Sequence, residues 1–160
     1  MQECLKQKGW KKVRANVKIE KMTKNDIESV LQIQKSQNVK ILNRSMLEND
    51  VNVSISMYYV AKIGKKVVGF IAAMFLTDHI DIEAIVVDKE YIRRHIASEL
   101  LDYIIVMASS YKVEKIFLEV RVTNTPAISF YEKYGFKQIS IRKKYYENKE
   151  DAYVYELDII

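Results

Sequence analysis

Cysteine is nearly missing: Cys4 is the only one in 160 residues. No disulfide can therefore form within the chain, and a reducing, cytoplasmic setting is the expectation. A single thiol so near a chain end reads as incidental. Long apolar runs are absent too. None approaches the ~20 residues that a membrane-spanning helix needs, so no membrane partner is expected. Residues 1–14 carry charge with no apolar stretch behind it, which is not the pattern of a secretory leader. Internal repeats and low-complexity tracts are also lacking. Proline occurs once and glycine four times, so each one marks a particular turn.

What remains is the balance of an ordinary globular domain: 49% apolar and 29% charged residues. A chain of 160 residues accommodates one core and is too short to expect two. The formal net charge is +5, yet lysines and arginines are scattered. A nucleic-acid protein would show a basic stripe or a recognisable motif, so no specific nucleic-acid partner is expected. The charge reads as solubility with a bias toward acidic substrates.

Residues 1–13 form a basic N-terminal extension with Trp10 as its one anchor, and 14–160 form a single domain. Residues 16–21 alternate as a first strand. Thr23 opens a T-x-x-D sequence resembling a capping box, and Ile27, Val30, Leu31 and Gln34 follow at helical spacing, with Ile33 adjoining. Residues 36–53 are weakly patterned, with a short helix expected around 45–49. Two apolar runs, 57–63 and 67–76, are separated by Gly64-Lys65-Lys66, a hairpin signal. A third strand covers 81–87, and residues 94–111 have a strong helical period. Another strand spans 113–121. Pro126 fits the first turn of a helix that stops at Gly135, and two strands, 136–144 and 152–159, finish the chain. The order is β-α-(α)-β-β-β-α-β-α-β-β, a mixed sheet flanked by helices.

Three ordered segments carry chemistry. The first is Ile85-Val86-Val87, Glu90-Tyr91 and Arg93-Arg94-His95-Ile96-Ala97-Ser98. The second is Leu118-Glu119-Val120-Arg121, Asn124, Pro126-Ala127-Ile128 and Phe130-Tyr131-Glu132-Lys133-Tyr134-Gly135-Phe136. The third is Lys144-Tyr145-Tyr146 followed by Glu150-Asp151-Ala152-Tyr153. Together they resemble the GNAT superfamily of N-acetyltransferases, over about residues 15–158, and within it the protein N-terminal acetyltransferase branch. That branch includes the ribosomal-protein-alanine acetyltransferases and the arrest-defective catalytic subunit of N-terminal acetyltransferase A. The resemblance implies an α/β fold of the α+β type: a mixed, mostly antiparallel sheet of about seven strands with about four helices.

It also implies acetyl-coenzyme A as co-substrate and no metal. The family's first motif is a strand, then (Q/R)-x-x-G-x-(G/A), then a helix whose N-terminal N–H groups meet pyrophosphate. Here that loop assigns Arg93, Arg94, His95, Ile96, Ala97 and Ser98 to the cofactor, Arg93 and Arg94 as charge-assisted phosphate partners. Two positions depart from the pattern: Ile92 stands for Arg or Gln, and His95 for glycine. Glycine there permits close approach and backbone conformations barred to other residues. His95 leaves two readings open, an obstructed phosphate site or a ring that adds a cation-capable partner.

The reaction implied is attack of an amine on a thioester. An α-amine is mostly protonated at neutral pH, so a base and a proton donor for the thiolate are required. By resemblance Glu119 is the base, Tyr131 the acid and Asn124 a binder of the pantetheine arm, while backbone N–H around Ile85, Val86 and Val87 meets the thioester oxygen. Asp81, with Glu83 on its face, matches the base of other branches. Plainer readings stand beside these: Glu119 paired with Arg121, Asn124 as a helix cap, Tyr131 as a core aromatic. Tyr145 and Tyr146 match a pair that grips the substrate backbone, so protein or peptide N-termini are the expected partners, with a ribosome-docking or auxiliary subunit allowed. A small-amine acetyltransferase and a non-catalytic acetyl-coenzyme-A-binding module remain as alternatives.

Overall fold

The strand nearest the N-terminus, β1 (Val17–Lys21), ends where Asp26 turns its carboxylate back onto Thr23, accepting from its N–H at 2.9 Å and its hydroxyl at 3.1 Å. The capping expectation at Thr23 and Asp26 thus holds, and one 3₁₀ turn (Lys24–Asp26) leads into helix α1 (Ile27–Ser36). The computed structural model describes residues 16–160; the N-terminal extension, with Cys4 and Trp10, lies outside the described residues. A short helix, α2 (Arg44–Asp50), follows, capped by the Asn43 side chain accepting from Met46 N–H.

Strands β2 (Ser56–Ile63) and β3 (Lys66–Leu76) form the expected hairpin, with Gly64 at φ 61° in its two-residue turn. Then come β4 (His79–Val87), helix α3 (Ile96–Ser110), β5 (Lys115–Arg121), helix α4 (Thr125–Lys133), β6 (Lys137–Arg142) and β7 (Ala152–Asp158). The seven strands run β1-β2-β3-β4-β5-β7-β6, and every neighbouring pair is antiparallel except β4 with β5. The expected fold class, a mixed sheet with about four helices, is the fold observed.

The helices cover both faces. Ile96, Leu100, Leu101 and Ile104 of α3 bury against Val68, Ile71, Ile80 and Ile82 on one face. Ile27, Val30 and Ile33 of α1, with Leu47 of α2, bury against Val60, Phe70, Ala72 and Val86 on the other. Complete burial of one such aliphatic side chain contributes ~1.5–3 kcal/mol, so these two layers fix where the helices sit.

Two irregularities of β4 position the site. Its register against β3 shifts by one residue, Ala72 opposing Ala84 and Ala73 opposing Ile82, so Glu83 is an extra residue. The bulge reverses the alternation: Ile80 and Ile82 face the α3 layer, whereas Ala84 and Val86 face the α1 layer. Pairing with β5 is also short. It runs only from His79–Lys115 to Ile82–Leu118. Beyond that rung the two strands part, and Glu119 is the first β5 residue past the fork.

Candidate active site at the fork between two strands

Helix α3 begins two residues later than the periodicity implies, and the reason is backbone conformation. Arg93 and His95 both have positive φ, 61° and 63°, in the left-handed region that residues with a Cβ adopt only at a cost. His95 is the N-cap of α3, and its side chain makes no capping bond. The N–H groups of the first turn are therefore left to another acceptor. The glycine expected by resemblance at this position is thus explained by the conformation the loop takes. Close behind it, a Cβ on Gly69 would stand 3.1 Å from Ile96 Cγ2 and 3.2 Å from the Val86 carbonyl. Glycine there lets the start of α3 lie directly on β3.

Around this turn is a groove of ~550 Å³. Val87, Arg93, His95, Ile96, Ala97 and Ser98, all assigned to the cofactor by resemblance, line it, joined by Tyr91, Ile92 and Phe130, which the motif reading did not assign. Arg94 is outside the lining. Its guanidinium lies 4.9 Å from the Tyr91 ring centroid, which Lys66 Nζ approaches to 4.6 Å. A cationic rim, uncapped helix N–H groups and an apolar floor fit a ligand with phosphates at one end and an apolar arm.

The strand expected to present N–H groups divides its side chains between the layers. Ile85 and Val87 pack toward α3 and Val86 toward α1, so what they hold in common at the fork is backbone. The Val87 carbonyl is already engaged, accepting from Gln37 Nε2 at 2.8 Å. Asn124 caps α4, its side chain accepting from Ala127 N–H at 3.3 Å, the plainer of the two readings given to it. Tyr131, on α4, is half-buried against Phe130 and Phe136, with ring centroids 5.3 and 5.5 Å away. Burial, with Tyr146 nearby, holds its phenol well above the usual range, and its hydroxyl has no hydrogen-bond partner among the described residues. Among the described residues no acceptor competes for its proton.

The opposite side of the fork is made of charge. Glu119 is half-buried; desolvation raises its pKa, Asp81 adds to the rise, and Arg142 opposes it. Glu119 Oε1 lies 3.3 Å from Arg142 Nε. The pairing of Glu119 with Arg121 read from their spacing does not form. Arg121 instead holds Glu150 Oε2 and Asn148 Oδ1, each at 3.0 Å, and stacks 3.8 Å over Tyr146. Asp81 is half-exposed beside His79, whose Nε2 is 3.6 Å away. Glu83 accepts from the buried Tyr58 hydroxyl at 2.9 Å, and desolvation raises its pKa, with Asp50 and Asp81 contributing. Asp81 and Glu83 thus share one neighbourhood, as their positions implied.

Tyr145 and Tyr146 meet edge to face at 5.1 Å. Burial pushes Tyr146 up to about 12, and it interacts with both Glu119 and Tyr131, the carboxylate and phenol on either side. The loop after α1, residues 37–43, is pinned by Gln34. This buried amide accepts from Ile41 and Leu42 N–H at 2.9 Å and donates to the Leu42 carbonyl at 2.8 Å. Sequence reading placed Gln34 on the helix face without finding this role. The signal available was a polar residue at a position whose neighbours are all apolar.

Comparisons with known proteins bear on the family and the fold. An N-alpha-acetyltransferase of Saccharolobus solfataricus is 47% identical over 72 residues, covering 44% of this chain and 43% of that protein. The match therefore spans less than half of that relative. An N-alpha-acetyltransferase of Sulfolobus acidocaldarius is 28% identical over 156 residues, covering 89% of this chain and 93% of the other. Among solved structures, Ard1 from Thermoplasma volcanium superposes with a TM-score of 0.85 at 25% identity, covering 91% and 99% of the two chains. The model of the acetyltransferase (GNAT) family matches residues 27–136, from the start of α1 to just beyond α4, and the chain belongs to that family.

Proposed function

We propose that this protein transfers the acetyl group of acetyl-coenzyme A to the α-amine at the N-terminus of a protein or peptide. The observation that carries the reading is the fork itself. A half-buried carboxylate, Glu119, and a phenol with no hydrogen-bond partner among the described residues, Tyr131, both neighbour Tyr146 there, beside a groove suited to a phosphate-bearing ligand. The relatives named N-alpha-acetyltransferases support the same choice of substrate.

In this scheme the amine reaches the fork from the Tyr145–Tyr146 side, and Glu119 takes its proton, directly or through water. The free nitrogen lone pair forms a bond to the thioester carbon, and backbone N–H of β4 steadies the charge on oxygen. As the carbonyl re-forms, the C–S bond breaks and Tyr131 donates its proton to the departing sulfur, while the extra proton left on the nitrogen departs through water and restores the phenol. The net products are an acetylated amine and coenzyme A. A raised carboxylate pKa suits this task, because a base must hold the proton it removes. Cytoplasmic residence and an auxiliary or ribosome-docking partner belong to the same proposal.

The test has two arms. Acetyl-coenzyme A should raise the thermal midpoint in a concentration-dependent manner. A library of peptides with free α-amines should then be acetylated at the terminus. Acetylation confined to small amines would overturn the substrate assignment, and a thermal shift with no transfer to any amine would leave a binding module.

A further inference from the structure

We infer that Arg142 is a positioning residue for Glu119, holding the carboxylate ionised and aimed into the fork; this rests on the proposed transfer to α-amines. The geometry begins with the ladder. Ala152 of β7 lies between Arg121 of β5 and Arg142 of β6, and Val154 lies between Glu119 and Ser140. All these side chains occupy the face opposite Tyr155 and Leu157. Two guanidinium groups therefore flank one small, fully buried alanine, and like charges so placed repel. They separate by taking different carboxylates. Arg121 goes to Glu150, while Arg142 reaches diagonally over β7 to Glu119, its Cζ 5.5 Å from the Tyr145 ring.

The groups facing Glu119 make that contact consequential. From β4 comes Asp81, a like charge; from the segment after β6 come Tyr145 and Tyr146, neutral phenols; from β6 comes Arg142, the only cation in ion-pair contact with Glu119 among the described residues. Burial and Asp81 both favour the protonated acid, which cannot accept a proton. Arg142 is the side chain that offsets them, with a smaller contribution from a backbone hydrogen bond at Glu119 itself. Because Arg142 also touches Tyr145, it links the base to the pair that would grip the substrate.

The sign follows directly. A base works only when deprotonated, so activity falls at low pH along a limb set by its pKa. Without Arg142 that pKa rises, and the limb moves to higher pH. Arg142→Met in the full-length protein should shift the acidic limb of kcat/KM for a peptide upward by about one unit, since a partly exposed pair is at the low end of such effects. One unit is about tenfold in kcat/KM well below the limb and nothing well above it. Arg142→Lys should restore most of the shift. In a Glu119→Gln background, Arg142→Met should move no limb. Carbon-13 NMR titration of the Glu119 carboxyl gives a readout independent of activity, and its midpoint should rise in the methionine variant. An unmoved midpoint and limb in Arg142→Met would overturn the role of Arg142 while leaving acetyl transfer standing. A wild type that binds acetyl-coenzyme A and acetylates no peptide would instead overturn the proposed function, with the NMR titration still deciding what Arg142 does.

Discussion

Two sites meet where β4 and β5 part, and they are built by different means. The groove at the start of α3 is mainly backbone: two left-handed residues, an uncapped helix terminus and a glycine that brings the helix onto the sheet. The face across the fork is mainly side-chain charge, with Asp81, Glu83, Glu119, Arg142 and Tyr145 drawn from four segments of the chain. Substitution should therefore act on the first through conformation and close approach. On the second it should act through protonation, with the fold left intact.

The largest expected effects separate these modes most sharply. Glu119→Gln keeps the shape and removes the proton acceptor, so kcat near neutral pH should fall by about 10²–10⁴-fold with acetyl-coenzyme A affinity nearly unchanged. Its acidic limb should vanish. In the wild type that limb should lie above the ordinary glutamate range, because burial and Asp81 outweigh Arg142. Asp81→Asn should then be mild; a reversed pattern, severe at Asp81 and mild at Glu119, would move the base to β4. Tyr131→Phe keeps the ring contacts with Phe130 and Phe136 and should lose a similar factor in turnover. Rates equal to wild type in the phenylalanine variant would take Tyr131 out of the mechanism.

On the backbone-built side the expected losses are smaller and of another kind. Gly69→Ala sets a methyl 3.2 Å from the Val86 carbonyl, which cannot rotate aside, and 3.1 Å from Ile96, the first residue of α3. Overpacking of this sort costs about 1–3 kcal/mol. Chemical denaturation should show that loss together with weaker acetyl-coenzyme A binding, since the displaced element carries the loop. Destabilisation with unchanged affinity would separate Gly69 from the groove.

The same contrast explains what could be read from the chain. The loop was legible because residues 92–98 are contiguous, and the strands and helices were legible because their periods are strong. Asp81 and Glu119 were found as candidates. Their partners were not, since Arg142 lies 23 positions beyond Glu119 and two strands away, and spacing alone pointed to Arg121. The bulge at Glu83 was likewise hidden: it leaves no signature residue, yet it reverses which face Ala84 and Val86 join. Gln34 was placed on its helix correctly, but its three bonds to residues 41 and 42 depend on a loop with no period of its own.

His95 is where the two modes meet, and its replacement should have the smallest effect on stability. The residue is exposed and at φ 63°, so its cost is conformational. A non-glycine residue in the left-handed region costs ~1–2 kcal/mol, whereas glycine adds ~0.5–1 kcal/mol of chain entropy to folding. His95→Gly should therefore be neutral to about 1 kcal/mol stabilising, by denaturant midpoint. Affinity for acetyl-coenzyme A carries the sharper information because its sign differs between the two roles. If the side chain only obstructs the turn, glycine lets the backbone approach the phosphates and binding tightens. If the imidazole is itself a phosphate partner, glycine weakens binding, and wild-type affinity is lower at pH 8 than at pH 6, because a cationic ring attracts phosphate and a neutral one does not. We expect the second outcome. His95 lines the groove beside Arg93, and α3 begins there with no side-chain cap, so the ring would add a donor to that guanidinium and to the helix N–H groups. Isothermal titration of both proteins at the two pH values decides it: a glycine variant that binds more tightly, with no pH dependence in the wild type, would return this loop to a purely backbone-built site.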